Sequence, residues 1–180
     1  MRMAPLCVNH VGVTVPDIFA ALDWYVETLA LTPIMQPRLL EASAPATHET
    51  PSVFGPRFRR AYQAHLLAGN GVGIELFQFV EPEVAPREDE MAYWRRGPFH
   101  LCLTHPDVEA LSARIAAAGG RRRTPVLDFV PGRPWRLAYC EDPWGTILEI
   151  ISHTYSEIFA NWPQPGMTVP PVMVARPQEP

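Results

Sequence analysis

Apolar residues recur along this chain with two periods, one typical of strands and one typical of amphipathic helices. The helical period follows Asp17 and Asp107, whose carboxylates can accept the free amide hydrogens of a first helical turn. The apolar positions are Ile18, Leu22, Tyr25, Val26 and Leu29 in the first stretch and Val108, Leu111, Ile115 and Ala118 in the second. Each stretch predicts a helix with one buried face, the second ending at a left-handed cap at Gly119-Gly120.

Short runs with strand character lie before and after each predicted helix. A first strand precedes each aspartate, in the stretches NHVGVTVPD and FHLCLTHPD. The later strands are expected near Ile34–Leu40, Ala61–Ala68 and Val72–Val80 in the first half and near Pro125–Val130, Arg136–Cys140 and Thr146–Ser152 in the second. Each half therefore predicts the order βαβββ.

The order of elements occurs twice because the chain contains an internal repeat. Residues 9–18 align with residues 99–108 at an offset of 90, with His, Thr, Pro and Asp coinciding. The repeat predicts a single domain over 1–160, made of module one at 6–80, a linker at 81–97 and module two at 98–155. Residues 41–60 are expected to form a loop within module one. Residues 161–180 are expected to form a proline-rich extended tail.

Composition excludes several classes of protein. The 180 residues are 47% apolar, which is enough to bury a core, and the formal net charge of −4 argues against a nucleic-acid partner. All 15 basic residues are arginine, so enzymes that need a Schiff-base, pyridoxal-phosphate or P-loop lysine are excluded. Because neither a signal peptide nor an apolar run near ~18 residues is present, we expect a soluble cytoplasmic protein without a membrane partner.

The cysteines give no sign of a disulfide framework or a thiolate zinc site. Cys7, Cys102 and Cys140 are far apart in sequence and form no Cys-x-x-Cys pair. We expect them to be small core residues in a reducing compartment.

Ionisable residues recur at matched places in the repeat. His10 and His100 lie in the first strand of each half, and Glu75 and Glu149 lie in the last. A carboxylate in a buried strand costs several kcal/mol unless it is paired or binds a metal. A single histidine or glutamate in a strand is more typical of a core or solvent-facing residue, but the duplication favours a divalent ion such as Zn²⁺, Ni²⁺, Co²⁺, Mn²⁺ or Fe²⁺.

The same stretches resemble the vicinal oxygen chelate superfamily, which includes glyoxalase I, epimerases, extradiol dioxygenases and antibiotic resistance proteins. The resemblance rests on NHVGVTVPD, IELFQF, FHLCLTHPD and YCEDPWGTILEI. It implies an α+β fold of two tandem βαβββ modules, with mixed sheets curled around a metal cavity, and His10, Glu75, His100 and Glu149 as metal ligands. It also implies a small-molecule substrate and a homodimer.

The ligand set of this resemblance is closest to glyoxalase I and implies a metal-dependent lyase or isomerase. Such an enzyme binds two substrate oxygens and passes through an enediolate, with Glu149 or Glu75 as the catalytic base. An Fe²⁺ extradiol dioxygenase is an alternative, although residues 131–138 lack the expected histidine. A non-catalytic antibiotic- or metabolite-binding protein is another, although all four ligands are retained. Glyoxalase I residues that hold glutathione have no match after His10 or Glu75, so the substrate is left open.

Further residues are expected to line the substrate site. Phe77 and Phe79 alternate in phase with Glu75, and Cys102 alternates in phase with His100. Tyr139 begins YCEDPWGTILEI, the most specific of the stretches on which the resemblance rests. Arg57, with Arg59 and Arg60, could clamp a carboxylate or phosphate, the alternative being a solvated loop.

The remaining basic residues receive less specific interpretations. The arginines Arg121–Arg123 follow the second predicted helix, where the exposed carbonyls of a helix C-terminus favour cations. The isolated histidines His48, His65 and His105 are interpreted as surface or core residues.

Overall fold

The structure is a computed structural model that describes residues 6–43, 51–86 and 91–160, apart from the side chains of residues 51 and 52. The described residues form two compact units. Unit 1 holds those up to residue 86 together with Pro143–Gly145, and unit 2 holds the others from residue 91 onwards. Each unit contains one open mixed sheet, which confirms the α+β class. The tail predicted at 161–180 lies outside the described residues, as does His48.

Unit 1 contains the elements predicted for the first half of the repeat and one short helix more. Its elements are β1 (His10–Thr14), α1 (Ile18–Leu29), β2 (Thr32–Glu41), α2 (Pro51–Phe54), β3 (Arg60–Leu67) and β4 (Gly73–Glu81). The strand order is β1-β4-β3-β2, with β1 parallel to β4 and the other pairs antiparallel. The helix α2 was not predicted and lies in the segment 41–60 that was expected to be a loop.

Helix α1 begins as the sequence predicts. The Asp17 carboxylate accepts the amide hydrogens of Phe19 at 3.0 Å and Ala20 at 3.1 Å. These bonds satisfy amides that have no partner inside the helix. The apolar face of α1, including Ile18 and Tyr25, is buried.

Strand β2 is one of the two outer strands of this sheet and is irregular. It carries Pro33 and Pro37, and its pairing with β3 shifts register between Pro33 and Met35 and again between Met35 and Arg38. Proline supplies no backbone N–H, so irregular pairing at such residues is expected on an outer strand. After the second shift, Arg38 pairs with Gln63 of β3.

Unit 2 repeats the plan with shorter strands. Its elements are β5 (Leu101–Thr104), α3 (Val108–Ala117), β6 (Arg121–Arg122), β7 (Leu127–Asp128), β8 (Arg136–Glu141), β9 (Ile147–Ile151) and α4 (Tyr155–Phe159). The strand order is β5-β9-β8-β6, and β7 also pairs with β8. The helix α4 was not predicted, and of the strand expected at 125–130 only the two residues of β7 form.

The arginines after α3 have a different role from the one predicted. Arg121 Nε donates to Glu141 Oε2 at 2.7 Å and Arg123 Nε donates to Glu141 Oε1 at 2.6 Å. Glu141 is buried, so this pairing offsets the cost of a buried carboxylate. Helix α3 ends slightly earlier than predicted, at Ala117, and Gly119 adopts the expected positive φ of 88°.

Two further expectations need correction or restatement. Cys140 is buried as predicted, but Cys7 and Cys102 are exposed, so the prediction of three core cysteines was wrong for two of them. Over the described residues, no helix combines the length and apolar character needed to cross a membrane.

Candidate functional site

In unit 1 the neighbouring strands β1 and β4 bring His10 and Glu75 together. His10 pairs with Gly73 and Gly12 pairs with Glu75 in the parallel register. His10 Nε2 lies 3.3 Å from Glu75 Oε2. A Cβ at Gly73 would lie 3.0 Å from His10 Cβ, so the glycine leaves room for the imidazole. The side chain of His10 is 50% exposed, because it begins an outer strand.

The other oxygen of Glu75 faces strand β3. Gln63 Nε2 donates to Glu75 Oε1 at 2.7 Å, and His65 Nε2 lies 3.6 Å from the same oxygen. Gln63 Oε1 in turn accepts two hydrogen bonds from Arg38, from Nε at 3.0 Å and Nη2 at 2.7 Å. The Glu75 carboxylate therefore lies in a network that crosses the sheet from β1 to β2.

A neighbour in sequence contacts the imidazole of His10. His10 Nδ1 lies 2.8 Å from Asn9 Oδ1. Because an amide oxygen only accepts hydrogen bonds, this contact favours the tautomer that carries its proton on Nδ1. The lone pair of Nε2 is then available on the side of Glu75, as a metal-binding imidazole requires.

Unit 2 builds a second pair from Glu149 of β9 and His100, which directly precedes β5. His100 Nε2 lies 3.2 Å from Glu149 Oε2. Both Cys102 of β5 and Tyr139 of β8 pair directly with Glu149 of β9. The ring of Phe99 contacts the His100 ring edge-on, with centroids 4.3 Å apart, and the buried Nδ1 of His100 has no hydrogen-bond partner among the described residues.

The groups around Glu149 stay protonated at neutral pH. Burial, followed by the charge of Glu149 and a hydrogen bond to it, raises the pKa of Tyr139 to about 12. Although Cys102 as a residue is exposed, desolvation of its thiol and then the charge and hydrogen bond of Glu149 raise its pKa to about 12. A thiol with so high a pKa is a poor nucleophile, and both side chains serve Glu149 as hydrogen-bond donors.

The aromatic residues predicted to share the face of Glu75 do so. Gln63 pairs with Phe77 and Ala61 pairs with Phe79, so the register of β3 and β4 is regular here. The rings of Phe77 and Phe79 stack with centroids 5.6 Å apart. Phe54 of α2 and Phe58 complete this aromatic cluster.

The predicted arginine clamp has less support in the structure. Arg57 is exposed on the segment between α2 and β3. The neighbouring Arg59 donates to the backbone carbonyls of Pro56 and Phe58, at 2.7 and 2.8 Å. The Arg59 guanidinium thus holds its own segment, and Arg57 stays a candidate for substrate contact.

The separations within the two pairs fit metal ligands. Two ligands at ~2.1 Å from one ion, at angles between octahedral and tetrahedral, stand roughly 3.0–3.4 Å apart. The measured distances are 3.3 Å for His10–Glu75 and 3.2 Å for His100–Glu149. Both are longer than the ~2.7–2.9 Å of a close charge-assisted hydrogen bond. Among the described residues, no three His, Cys, Asp or Glu side chains lie close enough together to hold a metal ion.

Sequence reasoning missed several residues of this site. Asn9 lies in a recognised motif but received no role, His65 was interpreted as an isolated residue, and Gln63 and Arg38 were not singled out. The available signal was Gln63 itself, a polar residue in the otherwise largely apolar stretch AYQAHLL. The contact of Gln63 with Glu75 depends on the register between β3 and β4, which cannot be read from the sequence.

Comparisons with known proteins agree with this architecture. A curated relative from Actinomyces sp., named 2-epi-5-epi-valiolone epimerase, is 28% identical over 160 residues, which cover 82% of this chain and 79% of the relative. A glyoxalase family protein from Bacillus cereus matches with a TM-score of 0.69 at 17% identity, covering 84% of this chain and 96% of that one. Glyoxalase I from Zea mays matches with a TM-score of 0.54 at 17% identity, covering 82% of this chain and 44% of that one.

The structural likenesses establish the fold, and a family model establishes the family. The model described as Glyoxalase/Bleomycin resistance protein/Dioxygenase superfamily matches residues 8–150, which include both repeated sheets and both His–Glu pairs. The chain therefore belongs to the glyoxalase, bleomycin resistance protein and dioxygenase superfamily.

Proposed function

We propose that this protein is a metal-dependent isomerase of the epimerase type, acting on a small hydroxyketone through two adjacent substrate oxygens. The observation that carries the proposal is one imidazole and one carboxylate at ligand separation in each unit. The superfamily generally binds divalent metal ions. The relative named as an epimerase of a ketone supports isomerase chemistry over lyase chemistry.

The proposed ligands are His10, Glu75, His100 and Glu149. Imidazole and carboxylate together suit Zn²⁺, Ni²⁺, Co²⁺, Mn²⁺ or Fe²⁺, and four protein ligands leave two positions of an octahedral ion for substrate. An ion held by these residues would supply Lewis acidity, which would acidify the carbon-bound proton beside the carbonyl. The two pairs meet either within one chain or across a homodimer, as the family resemblance implies.

The two carboxylates are the proton carriers of this proposal. Epimerisation removes the proton of the hydroxyl-bearing carbon from one face and returns a proton to the other face. In this proposal Glu149 would accept the proton, and Glu75, once released from the ion and protonated by water, would donate one to the opposite face, so that the carbon keeps its hydrogen count and inverts its configuration. Proton exchange of both carboxyls with water restores the starting state.

Neighbouring side chains support these roles. The Tyr139 hydroxyl and the Cys102 thiol donate to Glu149 and hold its carboxylate in place. Phe77 and Phe79 provide an apolar surface next to Glu75. Arg57 is the candidate to bind an anionic substituent of the substrate, because a guanidinium binds carboxylate or phosphate with two parallel hydrogen bonds.

The test is metal analysis of the purified protein, followed by exchange in D₂O. Incubation with 2-epi-5-epi-valiolone should place deuterium on the carbon beside the carbonyl, read by NMR. The variants Glu149→Gln and Glu75→Gln should lose at least ~100-fold of this exchange, since each lacks a proton carrier. The matched control Glu109→Gln, on an exposed helix position bound to Arg122, should keep it.

Two results would overturn the proposal. One is exchange that survives both glutamate substitutions, and the other is a folded protein that takes up no divalent ion. Oxygen consumption with catechols would instead identify the dioxygenase alternative.

A further inference from the structure

The side chain of Gln63 is buried in the sheet of unit 1, next to the proposed ligand Glu75. It is 1% exposed and lies among apolar neighbours on the face that carries Phe77 and Ala61. A buried amide without hydrogen bonds costs ~1–3 kcal/mol. Arg38 on one side and Glu75 on the other satisfy this amide.

The chemistry of these partners allows one orientation of the amide. Arg38 only donates hydrogen bonds, so it must face the amide oxygen, whereas an ionised Glu75 only accepts and must face the amide nitrogen. A flipped Gln63 would oppose donor to donor and acceptor to acceptor. Arg38 thus determines that an N–H of Gln63 points at Glu75 Oε1.

This hydrogen bond gives the two oxygens of Glu75 different partners. Oε1 is taken by Gln63 Nε2 at 2.7 Å, and Oε2 lies 3.3 Å from His10 Nε2. The oxygen on the side of the imidazole is therefore the one left for a shared ion. The carboxylate cannot rotate without breaking the buried hydrogen bond.

Unit 2 shows that the fold itself does not require this polar pair. Tyr139 pairs with Glu149 in unit 2 as His65 pairs with Glu75 in unit 1. Two residues before these partners, Leu137 therefore occupies the position of Gln63. Leu127, which pairs with Leu137, occupies the position of Arg38. The strand positions that hold an arginine and a glutamine in unit 1 hold two leucines in unit 2. Leu137 is buried and Leu127 is exposed, so the equivalent strands form in unit 2 without a polar pair, and in unit 1 the polar pair serves the carboxylate beside it.

We propose that Arg38 and Gln63 are positioning residues that orient Glu75 so that its Oε2, and not its Oε1, binds the ion. This inference rests on the proposed function, because it concerns the metal ligand Glu75. Outer residues that hold a ligand change metal affinity by ~10–100-fold when they are lost.

The experiment compares Gln63→Leu with the wild-type protein, using Co²⁺ as the probe. Leucine at this position has a precedent in Leu137, so the variant is expected to fold. The dissociation constant for Co²⁺ should rise ~10–100-fold, and the visible absorption band of bound Co²⁺ should change as the carboxylate changes its geometry. In the loaded enzyme, kcat should fall while KM stays close to wild type.

The matched control is Gln78→Leu in the same sheet. Gln78 Oε1 accepts the amide hydrogen of Ile18 at the start of α1, at 3.0 Å, and does not touch the site. This variant should lower the melting temperature and leave the Co²⁺ dissociation constant and absorption band unchanged. The contrast separates a positioning role from a merely structural one.

A second variant, Arg38→Leu, keeps the proposal testable if Gln63→Leu does not fold. It removes the donors that fix the amide and should weaken Co²⁺ binding in the same direction by a smaller factor. Co²⁺ binding equal to wild type in the folded variants overturns the positioning role and leaves the proposed function standing. A wild-type protein that binds no Co²⁺ overturns both.

Discussion

The two units place a histidine and a glutamate on equivalent strands and then surround them differently. In unit 1 the neighbour before the histidine is Asn9, which bonds to the imidazole, and in unit 2 it is Phe99, which packs against the ring. Glu75 is held by a side-chain amide, whereas Glu149 is held by a phenol and a thiol. The duplicated scaffold therefore fixes where the proposed ligands lie, and the residues around each of them differ in how they hold it.

The largest expected effect comes from removing either histidine of the proposed site. If both pairs bind one ion, His10→Ala and His100→Ala should each abolish stoichiometric metal and lower turnover by at least ~100-fold. The double variant should be no worse than the more damaging single one, because the ion is already lost. Elemental analysis and the D₂O exchange assay measure both quantities.

Additive losses in that double variant would contradict a shared ion and indicate one site in each unit. The control is His105→Ala, since His105 Nδ1 bonds only to the backbone of Asp107 in the described network and lies outside both pairs. It should retain metal and turnover.

Exchanging the residues before the histidines should give a smaller effect. Asn9→Leu removes the acceptor for His10 Nδ1 and should weaken Zn²⁺ binding ~10-fold by titration calorimetry. Phe99→Asn offers an acceptor to the buried Nδ1 of His100 and should strengthen Zn²⁺ binding, while the loss of the ring lowers the melting temperature. Unchanged Zn²⁺ affinity in both variants would show that the neighbours do not tune the imidazoles.

The helix starts differ by one hydrogen bond, which predicts a measurable difference in stability. The carboxylate of Asp17 accepts two amide hydrogens and that of Asp107 accepts one, from Ala110. Asp17→Ala should lower the free energy of unfolding by ~1–2 kcal/mol and Asp107→Ala by ~0.5–1 kcal/mol, measured in urea. Asp23→Ala, at an exposed position within α1, is the control and should cost little. A larger loss for Asp107→Ala would reverse the comparison.

The smallest effect concerns Cys140, the buried thiol of unit 2. Burial raises its pKa from 9.0 to about 11, against a smaller opposing effect of Arg122. The folded state holds the thiol proton more tightly than the unfolded state, so this contribution to stability is full below pH 9.0 and is lost as the pH rises to about 11. Melting temperatures from pH 8 to ~11 should therefore fall more steeply for the wild type than for Cys140→Ala. Parallel curves would contradict the assignment.

Local patterns in the sequence predicted what depends on local geometry. The alternation of Glu75, Phe77 and Phe79 correctly predicted a shared face, because side chains in a regular strand alternate. The helix caps followed from single aspartates.

Contacts between distant strands were beyond this reasoning. Gln63 reaches Glu75 only through the register of β3 and β4, and Arg38 reaches Gln63 only after the two irregularities of β2. Arg121 and Arg123 were assigned to the end of α3, because their partner Glu141 lies on another strand, 20 and 18 residues further along the chain. The relation between the two His–Glu pairs stays a prediction.

The prolines of β2 also bear on how this protein can assemble. β2 lies at the outside of its sheet, and Pro33 and Pro37 remove two donors from a strand that is already irregular. An approaching polypeptide therefore finds no continuous ladder of hydrogen bonds there, which protects the border of the sheet against strand addition and amyloid-like growth. A second copy that associates along this border would therefore depend on side-chain contacts more than on a continuous backbone ladder.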